Sequence, residues 1–271
     1  MEKPYAKDAA RVVLGVFCRA VMRTRSYLYQ TSARVRRIFT ARNGGFLSWG
    51  PVSETYRQRA FAVPPDATEL IVIRHGASAA LEPGETFELV EGHGDPPLAP
   101  EGREQALRVA ERLHGEPLRA LFVTPLQRTH QTMEPLAAAT GLQPQVISDL
   151  REVHLGEWEG GEYRRRMHER DPVAMKALME ERWDLIPGGE PMEALGARVS
   201  SGLDTMLAKI GPGGTGAAVL HGGVIGELCH QVTRSRRFAF IHADNCSITR
   251  VVQFAIGHRL LRSFNDTAHL A

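Results

Sequence analysis

Two histidines stand in the same local setting. His75 follows Arg74 at the end of the apolar run in "TELIVIRHGAS", and His221 closes the run "AVLHGG". Arginine is rarely found inside a core, so an apolar stretch that ends on Arg-His-Gly marks an edge where positive charge is wanted. Arg128, one turn into the helix expected from "VTPLQRTHQT", adds a second guanidinium. Two guanidiniums and two imidazoles suit a tetrahedral oxyanion, because arginine presents paired donors to phosphate oxygens. Gly222 then opens a helix whose N-terminal amides favour an anion. There is no Walker-type glycine loop, so a nucleotide would not be cradled in that way. A single histidine is more often structural than catalytic, but two strand-end His-Gly pairs with a neighbouring arginine reverse that expectation.

These residues need elements that bring them together. Strands are expected at 69–74, 119–124, 144–148, 216–221, 246–254 and 259–264, and helices at 100–113, 126–140, 161–182, 192–209 and 223–233. Strands that alternate with helices, several of them unbroken apolar runs, indicate an α/β fold: a three-layer α/β/α sandwich around a mostly parallel sheet. Ligands of such sheets bind beyond the carboxyl ends of the strands, which is where "RHG", "TP" and "HGG" fall.

Composition sets the limits. With 271 residues, 43% hydrophobic and 24% charged, the chain can bury a sizeable core, and general disorder is excluded. Cys18, Cys229 and Cys246 share no metal-ligand spacing and leave an odd one over, which favours a reducing, cytoplasmic setting without a disulfide framework or metal site. Residues 1–60 carry twelve basic against three acidic residues, and the remainder 21 basic against 28 acidic. The chain therefore divides into a basic N-terminal extension (1–60), loosely ordered or helical, and a catalytic domain (66–271). The uncharged stretch Val12–Cys18 is short for a signal-peptide core and far short of a bilayer span. A weak contact of the extension with anionic membrane surface is the partner that its charge allows, self-association into a homo-oligomer is compatible with the pattern, and no nucleic-acid partner is expected.

The segments "VIRHGAS", "DPPLAPEGREQA", "TPLQRTHQT", "LREVHLGEWEG", "PGGEP", "VLHGGVI", "NCSITRV" and "NDTAHL" together resemble the ordered motif set of the histidine phosphatase superfamily, the phosphoglycerate-mutase-like proteins. The resemblance spans Thr68 to Leu270 and is nearer to the phosphatase branch. It implies that His75 attacks phosphorus to give a phosphohistidine, while Arg74, Arg128 and His221 hold the phosphoryl oxygens, with no metal and no cofactor. It also implies that Glu152 in "LREVHLGEWEG" is the general acid and base, with Glu157 and Glu159 as neighbouring alternatives and Trp158 as a packing anchor. Three positions depart from the family pattern: Ala77 where many members have Glu or Gln, Leu81 where many have Asn, and Gly226 where Arg is frequent. The expected activity is hydrolysis of a small phosphomonoester. The rivals are a cofactor-dependent phosphoglycerate mutase and a phosphate-binding protein without turnover. Between Gly76 and Pro97 there are five acids and no Lys or Arg, so any selection of a multiply charged substrate falls to Arg164, Arg165 or Arg166 in "YRRRMHER".

Overall fold

The computed structural model describes residues 58–271. Strand β1 (Thr68–Arg74) is TELIVIR, buried along most of its length as a strand covered on both faces must be. Its alternate residues enter two different cores. Leu70 and Val72 pack with Phe122, Leu220 and Val251, whereas Ile71 and Ile73 pack with Leu121, Val123 and Val219. A period-two split of one strand between two cores is the signature of three layers.

A small hairpin of β2 (Leu89–Val90) and β3 (His93–Gly94) follows β1. Then come α1 (Pro100–Leu113), β4 (Leu118–Val123), α2 (Gln127–Thr140), β5 (Pro144–Val146), α3 (Glu162–His168), α4 (Pro172–Glu180), α5 (Met192–Ile210), β6 (Thr215–Leu220), α6 (Gly222–Thr233), β7 (Ile248–Gln253) and β8 (Arg259–Asp266). The main sheet has six strands in the order β5-β4-β6-β1-β7-β8. β5, β4, β6 and β1 run parallel, β7 is antiparallel to β1, and β8 is antiparallel to β7. α1 and α2 cover one face through Val109, Leu113, Met133 and Leu136, and α5 and α6 cover the other through Leu195, Val199, Leu203, Val224 and Leu228.

The helix expected over 161–182 is two helices. Asp171 caps α4 by accepting the Val173 and Ala174 amides, and Pro172 occupies its first turn. Proline lacks the amide that would continue the α3 ladder, and the preceding Arg170 turns at φ 53°. The strand expected over 144–148 ends at Val146, where a 3₁₀ turn over Ser148–Leu150 begins. The expected basic extension lies, apart from its last three residues, outside the described residues, as do its helical and membrane-surface readings. Among the described residues no helix is long and apolar enough to cross a membrane.

Candidate active site

β1 and β6 are hydrogen-bonded neighbours with Arg74 opposite Leu220, so the next residues, His75 and His221, emerge side by side. The His75 amide donates to the Leu220 carbonyl at 3.0 Å, and the two imidazole centroids lie 5.3 Å apart. Arg74 is steadied from the far side, its Nη1 donating to the Ala243 carbonyl. Asn245 Nδ2 donates to the His75 carbonyl at 2.8 Å, and the following Cys246 takes the left-handed conformation (φ 56°) to turn into β7. Such strain in a non-glycine residue is characteristic of functional sites. Arg128 comes from the first turn of α2 and donates to the Gly94 carbonyl at 2.9 Å, with Asp95 3.5 Å away. Asp95 also accepts from the Gln127 amide at 3.0 Å, so one buried carboxylate orients Arg128 and complements the positive end of α2. In the sequence Asp95 stands out only as one of five acids between Gly76 and Pro97.

The imidazoles are chemically defined by their partners. His75 Nδ1 lies 2.8 Å from the Gly76 carbonyl, which can only accept, so Nδ1 carries the proton and Nε2 keeps its lone pair. Burial, reinforced by the Arg128 and Arg74 charges, holds the His75 pKa well below its ordinary value. His221, fully buried, is depressed in the same direction by burial first and then by Arg128 and His75. Its Nε2 meets the Thr124 hydroxyl at 2.9 Å. His221 Nδ1 and Arg74 Nε are buried without a partner among the described residues. An unpaired buried polar atom costs about 1–3 kcal/mol, and a guanidinium donor such as Arg74 Nε is satisfied by an oxyanion.

The sign of the histidine shifts gives a direct prediction. Both folded-state values lie below the unfolded value near 6.5, so acidification makes the unfolded chain bind protons that the folded chain refuses. Stability is full above that pH and falls below it by up to about 1.4 kcal/mol per pH unit for each histidine. In NMR titrations between pH 7.5 and 5.5, the His75 and His221 rings are expected to keep neutral imidazole shifts throughout. Ordinary titration near 6.5 would contradict the buried, neutral assignment.

Glu152 reaches the site from the loop between β5 and α3. One carboxylate oxygen accepts from the Val153 amide at 2.9 Å, and the other lies 3.4 Å from the Gly223 amide at the start of α6. A Cβ on residue 223 would lie 2.5 Å from Val153 Cγ2 and 2.8 Å from Glu152 Oε1, so glycine is what lets that helix start come so close. The Glu152 carbonyl is held by His93 Nε2 and Arg198 Nη2, both at 3.1 Å. Arg198 is itself fixed by paired bonds to Glu190 of "PGGEP". Of the alternative acids, Glu157 is exposed and off the cavity wall, and Glu159 has its two oxygens committed to the Leu155 and Gly94 amides. Trp158 is buried, as expected of an anchor.

Arg74, His75, Arg128, Glu152 and Gly223 share the wall of one cavity of about 460 Å³. His221 and Gly222 lie behind that wall, both buried. Of the three consecutive arginines, Arg164 alone lines the cavity, donating to the Ala79 carbonyl and the Ser78 hydroxyl. Arg165 pairs with Glu162 and Glu169, and Arg166 pairs with Glu162 and Asp171. This narrows the expectation for the rim, because successive helical residues point about 100° apart and cannot share one face. Ala77 lines the cavity, Leu81 packs over Gly161, and Gly226 lies under the Phe240–Ile241 backbone, where a Cβ would come within 3.2 Å of Ile241 Cα. An arginine at 226 would have to displace that segment. Among the described residues, no group of three or more His, Cys, Asp and Glu is placed to hold a metal ion.

Comparison with known proteins gives a consistent result. The model of the histidine phosphatase superfamily (branch 1) matches residues 70–267. Phosphoglycerate mutase-like protein 4 of Arabidopsis thaliana is 36% identical over 179 residues, 64% of this chain and 74% of that protein. A mycobacterial glucosyl-3-phosphoglycerate phosphatase, solved in complex with inorganic phosphate, superposes with a TM-score of 0.60 and 25% identity, covering 75% of this chain and 99% of that one. The fold is also that of a phosphoglycerate mutase from Bacillus anthracis, with a TM-score of 0.63 at 21% identity, over 76% of this chain and 96% of that one.

Proposed function

Since the chain belongs to the histidine phosphatase superfamily (branch 1), we propose that it is a metal-independent phosphatase that hydrolyses small phosphomonoesters through a phosphohistidine on His75. The observation that carries this reading is the state of His75: buried, neutral, and bound through Nδ1 to a carbonyl, so that Nε2 is the nucleophilic atom. In the first step Nε2 attacks phosphorus and the ester P–O bond breaks. Glu152, in its acid form, gives its proton to the departing alkoxide. In the second step Glu152 takes a proton from water, the water oxygen attacks phosphorus, and the P–N bond breaks to return His75 and release phosphate. Arg74 and Arg128 offset the charge that develops on the phosphoryl oxygens in both steps, and the neutral His221 ring, 5.3 Å from the His75 ring between centroids, backs them from behind the wall. Splitting one displacement into two lowers each barrier.

The mutase alternative asks for a second phosphate or carboxylate to be held firmly in the same cavity. Among the described residues, Arg164 is the one arginine on the wall beyond Arg74 and Arg128, and two of its five N–H groups already serve Ser78 and Ala79. The test is phosphate release from a panel of monoesters, with chelator present, together with trapping of an acid-labile, base-stable phosphoryl group on the protein. Release and trapping are expected. Interconversion of 2- and 3-phosphoglycerate faster than their hydrolysis would establish the mutase instead, and phosphate binding without either reaction would leave a binding protein.

A further inference from the structure

Resting on the phosphatase reading, we propose that the substrate is a phosphomonoester whose alcohol part is uncharged and carries a flat apolar ring, of the aryl or arylmethyl kind. Past the phosphoryl site the cavity wall is aromatic: Phe87, Trp158, Tyr163 and Trp183. Trp158 and Trp183 are 4% and 6% exposed and serve mainly as core. Phe87 and Tyr163 are only half-buried, so their rings are available to a ligand. Tyr163 is braced from behind, 6.4 Å from Trp158 and 6.0 Å from Trp183 between centroids. Burial and the Glu152 charge push its phenol up to about 12, so it stays uncharged. Rings braced in this way offer an apolar partner a face that loses little entropy on binding, and aromatic pairs gain beyond the area they bury.

Charge points the same way. Arg164 bonds through Nη1 to the Ala79 carbonyl and through Nη2 to the Ser78 hydroxyl, and its guanidinium carbon lies over Phe87, 4.9 Å from the ring centroid. It props the aromatic wall, and two of its five N–H groups are taken before any ligand arrives. His93 cannot serve as that receptor, because both of its ring nitrogens face backbone carbonyls, those of Glu91 and Glu152. Glu101 and Glu159 line the same cavity. A second carboxylate or phosphate on the substrate would thus meet Glu101 and Glu159 as well as Arg164, whereas an uncharged ring meets none of that repulsion. The volume of about 460 Å³ suits a phosphoryl group with a single-ring body.

The experiment compares esters that all leave as primary alkoxides, so that leaving-group acidity does not decide the outcome: benzyl phosphate, glycerol 3-phosphate and 3-phosphoglycerate. The expected kcat/KM for benzyl phosphate exceeds that for 3-phosphoglycerate by about tenfold or more. Phe87→Ala and Tyr163→Ala should each lower the benzyl value by about fivefold to tenfold and the glycerol 3-phosphate value by less, collapsing the ratio. The exposed-loop variant Phe87→Ala decides the point if Tyr163→Ala fails to fold. Equal losses for both esters in a folded Phe87→Ala protein, or a preference for 3-phosphoglycerate, would overturn the proposal. Binding separates it from the reaction: calorimetry with benzylphosphonate and 3-phosphonopropionate reads the cavity without turnover. Tighter binding of benzylphosphonate by about tenfold supports the substrate class even if hydrolysis is absent, and equal or weaker binding rejects it.

Discussion

His75→Ala is expected to show no turnover and no trapped phosphoryl group with any substrate, while still binding phosphate. The lone pair on Nε2 has no substitute: His221 is fully buried, and its Nε2 faces Thr124. The anion cradle survives, because Arg74 is held by Ala243 and Arg128 by Gly94 and Asp95, none of which depends on the His75 ring. The measurement is phosphate affinity by calorimetry alongside acid-labile radiolabel after quenching. Near-normal turnover in His75→Ala would refute the phosphohistidine mechanism. Loss of phosphate binding together with turnover would mean that the ring builds the cradle and would leave its nucleophilic role undemonstrated.

Glu152→Ala should fail differently. General acid and base catalysis is worth about 100- to 10,000-fold, and that loss is expected with alkyl phosphates. With nitrophenyl phosphate the loss of the phosphorylation step should be much smaller, because nitrophenolate departs without a proton. The comparison has to isolate phosphoenzyme formation, for example by rapid-quench burst kinetics, since Glu152 also assists the water step. Equal losses for both ester types in that step would show that Glu152 is not the acid. Glu159 would then be next, although its carboxylate is already bound to the Leu155 and Gly94 amides.

What could be read in advance depended on how local its cause was. β1 and β6 were legible because unbroken apolar runs ending in His-Gly have few other uses, and the meeting of His75 with His221 followed from their shared edge. The α3–α4 break was also written locally, as Asp171-Pro172, a capping residue followed by an N-terminal proline. The strand-like hairpin at 89–94 was not, since two-residue strands carry no periodicity. Asp95, Asn245 and Arg198 escaped notice as positioning groups because their partners are distant in the chain. Asn245 bonds to His75 across 170 positions, and Arg198 bonds to Glu152 across 46. Motifs flagged "NCSITRV" and "PGGEP" as meaningful, but which backbone carbonyl each side chain would meet is a property of the folded chain. The three arginines show the converse: a local run suggested one shared role, and helical geometry sent Arg164 to the cavity while Arg165 and Arg166 pair with Glu162 and other acids.

The two-residue strands of the β2–β3 hairpin set the reacting groups and the selecting wall on unequal foundations. His75 and His221 extend strands at the middle of the sheet, with a ladder on either side, whereas Phe87 sits beside a pairing only two residues long. Thermal opening draws on the weakly paired segment long before it reaches the central strands. The same inequality applies to descent with change: substitutions between residues 77 and 92 can recast what the cavity accepts while the cradle keeps its register. The far end of the hairpin is bound by a different constraint, since His93 holds the Glu152 carbonyl and the Gly94 carbonyl holds Arg128, so the freedom to vary stops where the hairpin meets the reacting groups.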